Sequence, residues 1–362
     1  DLRRSRGLGD VYKRQQIICS IGGNIAENSG GVHCLKYGVT TNHVLGLKIV
    51  TPEGSILDMG GPISEMPGYD LTGLFVGSEG TLGIATEITL RILKYPESVC
   101  VLLAGFPSIE NTGQTVSDII SAGIIPGGME IMDNFSINAV EDVVKTGLYP
   151  RNAAAILLVE LDGSQLEVDV NKQRVKEICE LNQAIEITTA NEPEKRMKLW
   201  KGRKATFAAA GNISKNYYVQ DGVIPRTKMA YVLGEIEAIS KKYGYRIANV
   251  FHAGDGNLHP LILYDDSLEG DLEKVEEIGG EILKLCVEVG GSLSGEHGIG
   301  SDKKCYMPLM FNEIDLETMQ WVRSVFNPKG LANPEKIFPT PRTCGESANV
   351  QKVKQFEGAE VF

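Results

Sequence analysis

Hydrophobic and polar positions change their rhythm along this chain. Between residues 44 and 60, "VLGLKIVTPEGSILDMG" alternates apolar and polar positions on either side of Pro-Glu-Gly, which predicts two strands around a turn. From residue 99 onward, fully apolar runs are each followed by segments with apolar residues three and four apart. "VCVLLAGF" predicts a strand, and "SIENTGQTVSDIISAG" a helix that Ser108 opens and Gly123 ends. "AAILLVELDG" and "SQLEVDVNKQRVKEICELN" repeat the step. "TKMAYVLGEIEAISKKYG" predicts a helix closed by Gly244, "YRIANVF" and "PLILYD" predict strands, and 275–289 is a further apolar helix pattern. The architecture expected for this region is a sheet with helices on one face.

Two glycine-rich stretches interrupt these patterns. "IGGNIAENSGG" spans 21–31, and "GLFVGSEGTLGIATEITL" at 73–90 sets Gly77, Gly80 and Gly83 around Ser78 and Thr81 before an alternating run. Glycine is selected where φ is positive or where something approaches the main chain closely. Two such turns beside strands suit a large flat ligand held through backbone N–H groups, such as a dinucleotide. Neither stretch has the spacing of a Rossmann fingerprint or a P-loop.

Composition narrows the classes. The chain has 362 residues, enough for two domains, and 42% hydrophobic with 23% charged residues is an ordinary globular balance. A net charge of −11 argues against nucleic acid or an anionic membrane as the main partner. No apolar run approaches the ~20 residues of a membrane span. Seven cysteines without a C-x-x-C pair argue against a disulfide framework or a thiolate metal site. The basic, aperiodic "DLRRSRGLGDVYKRQ" at 1–15 lacks the apolar segment of a signal peptide and is read as a foreign or disordered leader. Residues 341–362 are read as a loose tail.

Chemistry concentrates in "NVFHAGDGNLHPLILY" and "GGSLSGEHGIGSDKK". The first has the composition of a β-hairpin, with His252 ending one strand and His259 beginning the next. Histidines at a hairpin mouth can face each other, and two imidazoles so placed make half a metal site. In the second, Glu296 and His297 sit between Gly295 and Gly298, where the backbone can turn their side chains inward. The bland reading, a satisfied loop histidine at each place, competes with this; His33 and His43 are read as structural.

These residues carry a resemblance. "HAGDGNLHP" and "SGEHGIG", with "GGNIAENSGG…KYGVTTNHVLGL", "GYDLTGLFVGSEGTLGI", "LWKGRKATFAAAGNISKNYYVQDGVIPRTKM" and "FNPKGLANPEKIFP", closely resemble the FAD-linked D-2-hydroxyacid dehydrogenases, from about residue 16 to 340. That family includes the FAD subunit of bacterial glycolate oxidase and D-lactate dehydrogenases. The resemblance implies an α+β fold: the second lobe of an FAD-binding domain of the PCMH/VAO type at 16–95, then an α+β substrate and metal domain with an antiparallel sheet at 96–340, whose end returns to the flavin domain. It implies that Gly22, Gly23 and Asn24 lie by the flavin, and that Gly77, Ser78, Gly80, Gly83 and Ile84 meet the diphosphate and adenosine, with Asn333 brought back to the flavin.

The family oxidises an α-hydroxy acid, such as glycolate or D-lactate, with hydride passing to FAD. By resemblance His252, His259 and Glu296 hold a divalent metal (Zn, Mn or Fe) and His297 is the general base; the exchange of roles between Glu296 and His297 stays open. Arg203 is the first choice for the substrate carboxylate, Arg226 the second, and Asn257 a donor in the hairpin loop. The family's preceding flavin lobe is not in this sequence, so the chain is expected to be a fragment that binds FAD weakly or not at all. Implied partners are the small-molecule hydroxy acid, an FAD-domain-only subunit and an iron–sulfur electron-transfer subunit, in the cytoplasm or peripheral to the inner membrane through that complex. Two rivals are a metal-dependent hydrolase, for which His₂-Glu and a base would also serve, and a non-catalytic FAD-domain subunit.

Overall fold

The structure, a computed structural model, describes residues 19–63 and 67–339; the leader at 1–15 and the tail at 341–362 lie outside the described residues. The first part carries α1 (Ile21–Glu27), α2 (Cys34–Tyr37), β1 (Val44–Val50), β2 (Ile56–Gly60), α3 (Leu71–Phe75) and β3 (Ile84–Leu90). Its strands form an antiparallel sheet in the order β2-β1-β3. Ile25, Leu47, Ile49, Met59, Phe75 and Leu82 make its core. The stretch 21–31 is therefore not simply a turn. Ser20 caps a seven-residue helix, its Oγ accepting from Gly23 N at 3.0 Å, and the chain leaves it at Asn28 with φ 49°. Burial of Ile25 holds this short helix despite two interior glycines, which each disfavour helix by up to about 1 kcal/mol. The loop 77–83 does need its glycines: φ is +82° at Gly77, +71° at Gly80 and +149° at Gly83.

The second part runs through β4 (Ser98–Phe106), α4 (Ile109–Ser121), β5 (Gly128–Asp133), α5 (Asn134–Val144) and β6 (Ala155–Gly163). It continues with α6 (Gln165–Leu181), β7 (Glu186–Ala190), α7 (Pro193–Gly211), β8 (Asn216–Val219) and α8 (Met229–Tyr243). Then follow β9 (Ile247–His252), β10 (Asn257–Tyr264), α9 (Asp271–Glu288) and α10 (Glu313–Phe326). Ser108 and Ser164 cap α4 and α6, and Gly244, with φ +73°, ends α8. Seven strands form one antiparallel sheet in the order β7-β4-β6-β5-β9-β10-β8.

Helices cover both faces of this sheet, which corrects the one-face expectation. Along β4, Cys100, Leu102, Ala104 and Phe106 point to a core shared with α4, α6, α8 and α9. Val101 and Leu103 point the other way, to a core shared with α5 and α7. A strand that is apolar at every position is one buried on both faces, so "VCVLLAGF" carried the signal.

Two returns tie the small sheet to the large one. His33 Nε2 lies 2.9 Å from Glu160 Oε1, and Lys36 Nζ donates to Asp162 Oδ1 at 2.6 Å, which docks α2 on β6. After α10, Phe326 packs against the small core and Asn327 Nδ2 donates to Thr81 O at 3.1 Å. Cys305 is disulfide-bonded, and Cys19, Cys34, Cys100, Cys179 and Cys286 are free thiols. Among the described residues no helix is long and apolar enough to cross a membrane.

Candidate functional site

The hairpin of β9 and β10 sets the first two side chains. Its register pairs His252 with Asn257 and His259 with Val250, so the two histidines share a face as diagonal neighbours. Their ring centroids are 5.0 Å apart and the rings are nearly perpendicular. Both are about 1% exposed.

The second segment has neither helix nor strand across 295–300, and Asp221 gives that loop its shape. This fully buried carboxylate accepts from the backbone N–H of Gly295 (3.2 Å), Glu296 (3.3 Å) and His297 (2.9 Å), and from Ser294 Oγ (2.6 Å) and Asn257 Nδ2 (2.7 Å). Lys303 Nζ stands 3.2 Å away. The loop so held brings Glu296 Oε1 to 3.1 Å from His259 Nε2 and 3.4 Å from His252 Nε2. His297 stacks on His259 at 5.1 Å, with its Nε2 3.8 Å from Glu296 Oε1, and its side chain is 45% exposed. On the opposite side the 21–31 stretch closes in: a Cβ at Gly30 would lie 3.3 Å from Glu296 Oε2.

Electrostatics follow from this packing. Burial pushes the Glu296 carboxyl up, but the charge and hydrogen bonds of His252 and His259 outweigh it and hold the group well below the usual range. Burial likewise opposes ionisation of Asp221, and Lys303 with His297 and His259 overrides it, bringing its pKa to about 2. The dense surroundings lower His297, with Asp221 pulling the other way. Burial pushes the Cys34 thiol up to about 12, so this neighbour offers no thiolate.

The donor set suits a cation. His252 Nδ1 donates to Glu130 Oε1 at 2.6 Å, which in a neutral ring leaves Nε2 as a bare acceptor. That acceptor faces another, Glu296 Oε1. A cation between them satisfies both, and ligands at 2.0–2.1 Å around a tetrahedral Zn²⁺ stand about 3.3 Å apart. His259 Nδ1 is buried without a hydrogen bond, 4.0 Å from Asp221 Oδ1. His252, His259 and Glu296 thus could hold a divalent ion, their ligand atoms all within 4.8 Å of one another. Asp221, His259 and His297 meet the same distance criterion, but Asp221 already accepts from the loop amides and side chains, which makes it the poorer ligand.

Other expected residues fall less simply. Arg203 is 3% exposed, and its Nη2 lies 2.6 Å from Glu130 Oε2, so the guanidinium backs the carboxylate that orients His252. Arg226 Nη1 donates to Gly254 O at 2.9 Å, bracing the hairpin loop. Asn257 is 4% exposed and donates to Asp221 rather than into the hairpin loop. Asn333 Nδ2 donates to the carbonyl of Glu79. Gly22, Gly23 and Asn24 are in α1, and Ile84 opens β3, 71% exposed. Ser78, between Gly77 and Gly80, is buried, and its Oγ makes no hydrogen bond, an orphan that a bound polar group would satisfy. Sequence reasoning missed Glu130, Asp221 and Glu79. An acid inside the apolar run "GGMEIMD" was the available signal for the first; nothing comparable marked the other two.

Known proteins resemble this chain in sequence and fold. The domain described as "FAD linked oxidases, C-terminal domain" matches residues 95–337, and the "FAD binding domain" matches 2–60. The chain belongs to the FAD-linked oxidase family. Within it, the chain is 50% identical to glycolate oxidase subunit GlcD of Escherichia coli strain K12 over 331 residues, 91% of this chain and 66% of that protein. It is 39% identical to glycolate oxidase subunit GlcD of Bacillus subtilis strain 168, covering 89% of this chain and 68% of the relative. It is 33% identical to the D-lactate dehydrogenase of Anaerostipes hadrus, covering 88% and 69%. The chain therefore spans about two thirds of the length of these curated relatives. The chain also shares its fold with p-cresol methylhydroxylase (TM-score 0.71, 14% identity, 91% of this chain and 74% of that one). A 4-ethylphenol oxidase from Gulosibacter chungangensis matches similarly (TM-score 0.70, 16% identity, 92% and 75%).

Proposed function

We propose that the protein takes part in FAD-dependent oxidation of a small D-2-hydroxy acid, glycolate to glyoxylate or D-lactate to pyruvate. One observation carries the reading: His252, His259 and Glu296 direct three ligand atoms at one point, with the exposed edge of His297 beside it. The names of the relatives, glycolate oxidase subunit GlcD and D-lactate dehydrogenase, supply the substrate class. When bound, a divalent cation (Zn, Mn or Fe) supplies Lewis acidity to the substrate hydroxyl and FAD supplies the hydride acceptor.

The chain's own residues do the rest. His252, His259 and Glu296 would hold the cation, and Glu130 keeps His252 in the tautomer whose Nε2 carries no proton. His297 is the base that takes the hydroxyl proton on Nε2. Its exposed edge gives that proton a way out to water. Arg226 remains available for the substrate carboxylate through its second amino group, whereas Arg203 must first release Glu130. The loop 77–83, with the orphan Ser78 hydroxyl, the α1 segment at Gly22, Gly23 and Asn24, and Asn333 would hold FAD. A complex with an FAD-domain-only subunit and an iron–sulfur subunit in the cytoplasm, peripheral to the inner membrane, accords with this reading.

Metal content, and anaerobic flavin reduction in a full-length homologue with both flavin lobes, test it. Wild type should carry about one divalent ion per chain and be reduced by glycolate or D-lactate. His252→Ala and His259→Ala should lose the ion. His297→Ala should keep ion and flavin while reduction slows roughly 10²–10⁴-fold, the scale for a positioned base. Full metal in both ligand variants overturns the assignment.

A further inference from the structure

Six consecutive backbone amides, 295–300, lie outside any helix or strand, yet each has a side-chain acceptor. Asp221 accepts from Gly295, Glu296 and His297, and Ser294 Oγ accepts from Gly298 at 2.8 Å. The last two turn to the other part of the molecule. Glu79 Oε1 accepts from Ile299 N at 2.6 Å, and Glu79 Oε2 from Gly300 N at 2.7 Å. One carboxylate thus takes two successive N–H groups directly after Glu296 and His297.

Glu79 is itself held firmly. It is 8% exposed and sits at φ +51°, a conformation uncommon for a side chain of its size. Its N–H donates to Ala26 O at 2.8 Å, and its carbonyl accepts from Asn333 Nδ2. The loop side is equally committed. Gly298 has φ +83°, and a Cβ there would stand 2.8 Å from Glu79 Oε1 and 2.4 Å from Glu27 Oε2. The contact spans 220 positions of sequence and links the loop 77–83 to the loop that carries Glu296.

We infer that Glu79 is a positioning residue: it seats the Glu296–His297 loop from the small sheet's side, as Asp221 does from the large sheet's side. The inference rests on the metal reading above for its effect on binding, while the seating itself is independent of it. In Glu79→Gln the shape is kept, but one acceptor becomes an amide NH₂ that faces a backbone N–H. Buried hydrogen bonds to a charged acceptor hold strongly, so the loop should loosen.

Hydrogen–deuterium exchange and cobalt titration of the full chain test the two parts. Amides of Ile299 and Gly300 should exchange at least tenfold faster in Glu79→Gln than in wild type, while amides of β4 and β6 keep their rates. Co²⁺ affinity, read by competition with a chromophoric chelator, should fall about 10- to 100-fold, the scale for groups that support ligands without touching the ion. Asn333→Ala removes only the prop beneath Glu79 and should move both readouts the same way by less; it serves if Glu79→Gln does not fold. Unchanged exchange at 299–300 in both variants overturns the seating. Faster exchange with unchanged Co²⁺ affinity overturns the positioning role. A wild type that takes up no Co²⁺ sinks the metal reading instead, and the exchange rates then decide for or against Glu79 alone.

Discussion

Carboxylates in this molecule differ in kind according to what faces them. Glu130 and Asp221 are buried and Glu296 is largely so, yet all three are ionised, because a guanidinium, an ammonium, imidazoles and backbone amides offset the cost of drying them. Glu27 lacks such partners. Burial first, and the Glu79 charge second, raise its pKa to about 7. The folded chain therefore holds a proton between about pH 4.5 and 7 that the unfolded chain has released, so Glu27 lowers stability progressively as pH rises through that window. Glu27→Gln removes the effect. The variant should match wild type below pH 4.5 and exceed it by on the order of 1 kcal/mol at pH 8, the half-exposed site being screened by solvent. Urea unfolding of both proteins across this range checks it; a gain that is independent of pH would show that charge is not the cause. The histidines of the site were legible because glycines frame them in a short hairpin and a short loop. Glu130 was missed although an acid between Met129 and Ile131 in an apolar strand marked it, and Asp221 acts through main-chain amides, which leave no trace in a sequence.

Most secondary elements followed from periodicity and caps: Ser108 and Gly244 do in the structure what a side-chain oxygen, or the lack of a side chain, suggests. Where the reading failed, tertiary burial outweighed local preference, as in α1, or a two-sided burial pattern was read as one-sided, as in β4. α7 offers a case where the two influences oppose. Alanine for a mid-helix glycine normally gains up to about 1 kcal/mol. At Gly202, however, a Cβ would lie 2.0 Å from Tyr149 Cε2. That ring cannot step aside, because it is 4% exposed and its hydroxyl bridges Leu199 O and Arg203 N. Overpacking costs about 1–3 kcal/mol, so Gly202→Ala should lower stability, and it should also disturb the Arg203–Glu130 pair behind His252. Thermal unfolding reads the first effect and Co²⁺ affinity the second. A more stable variant would mean that the helix shifts freely against α5.

The whole molecule is closed by contacts between its early and late parts. Glu79 meets Ile299 across 220 positions, and Asn327 meets Thr81 across 246. During synthesis the small sheet is made first and completed last. The β4–β10 sheet has all its strands once Tyr264 has left the ribosome, but loop 77–83, held until then by the α1 carbonyls of Ile25 and Ala26, gains its late partners only when residues 299–333 follow. A nascent chain thus carries this glycine-rich loop without its late partners while residues 84–298 are made, and domains generally fold as units while still attached. Ribosome-bound chains of graded length, exposed briefly to protease, should resist cutting in the large sheet well before they resist it around 67–83. Protection there should appear only when the chain has extruded beyond about Asn333. Simultaneous protection of both regions would mean that the small sheet closes without its late partners, and that the ties to Glu79 and Thr81 trim a structure already formed.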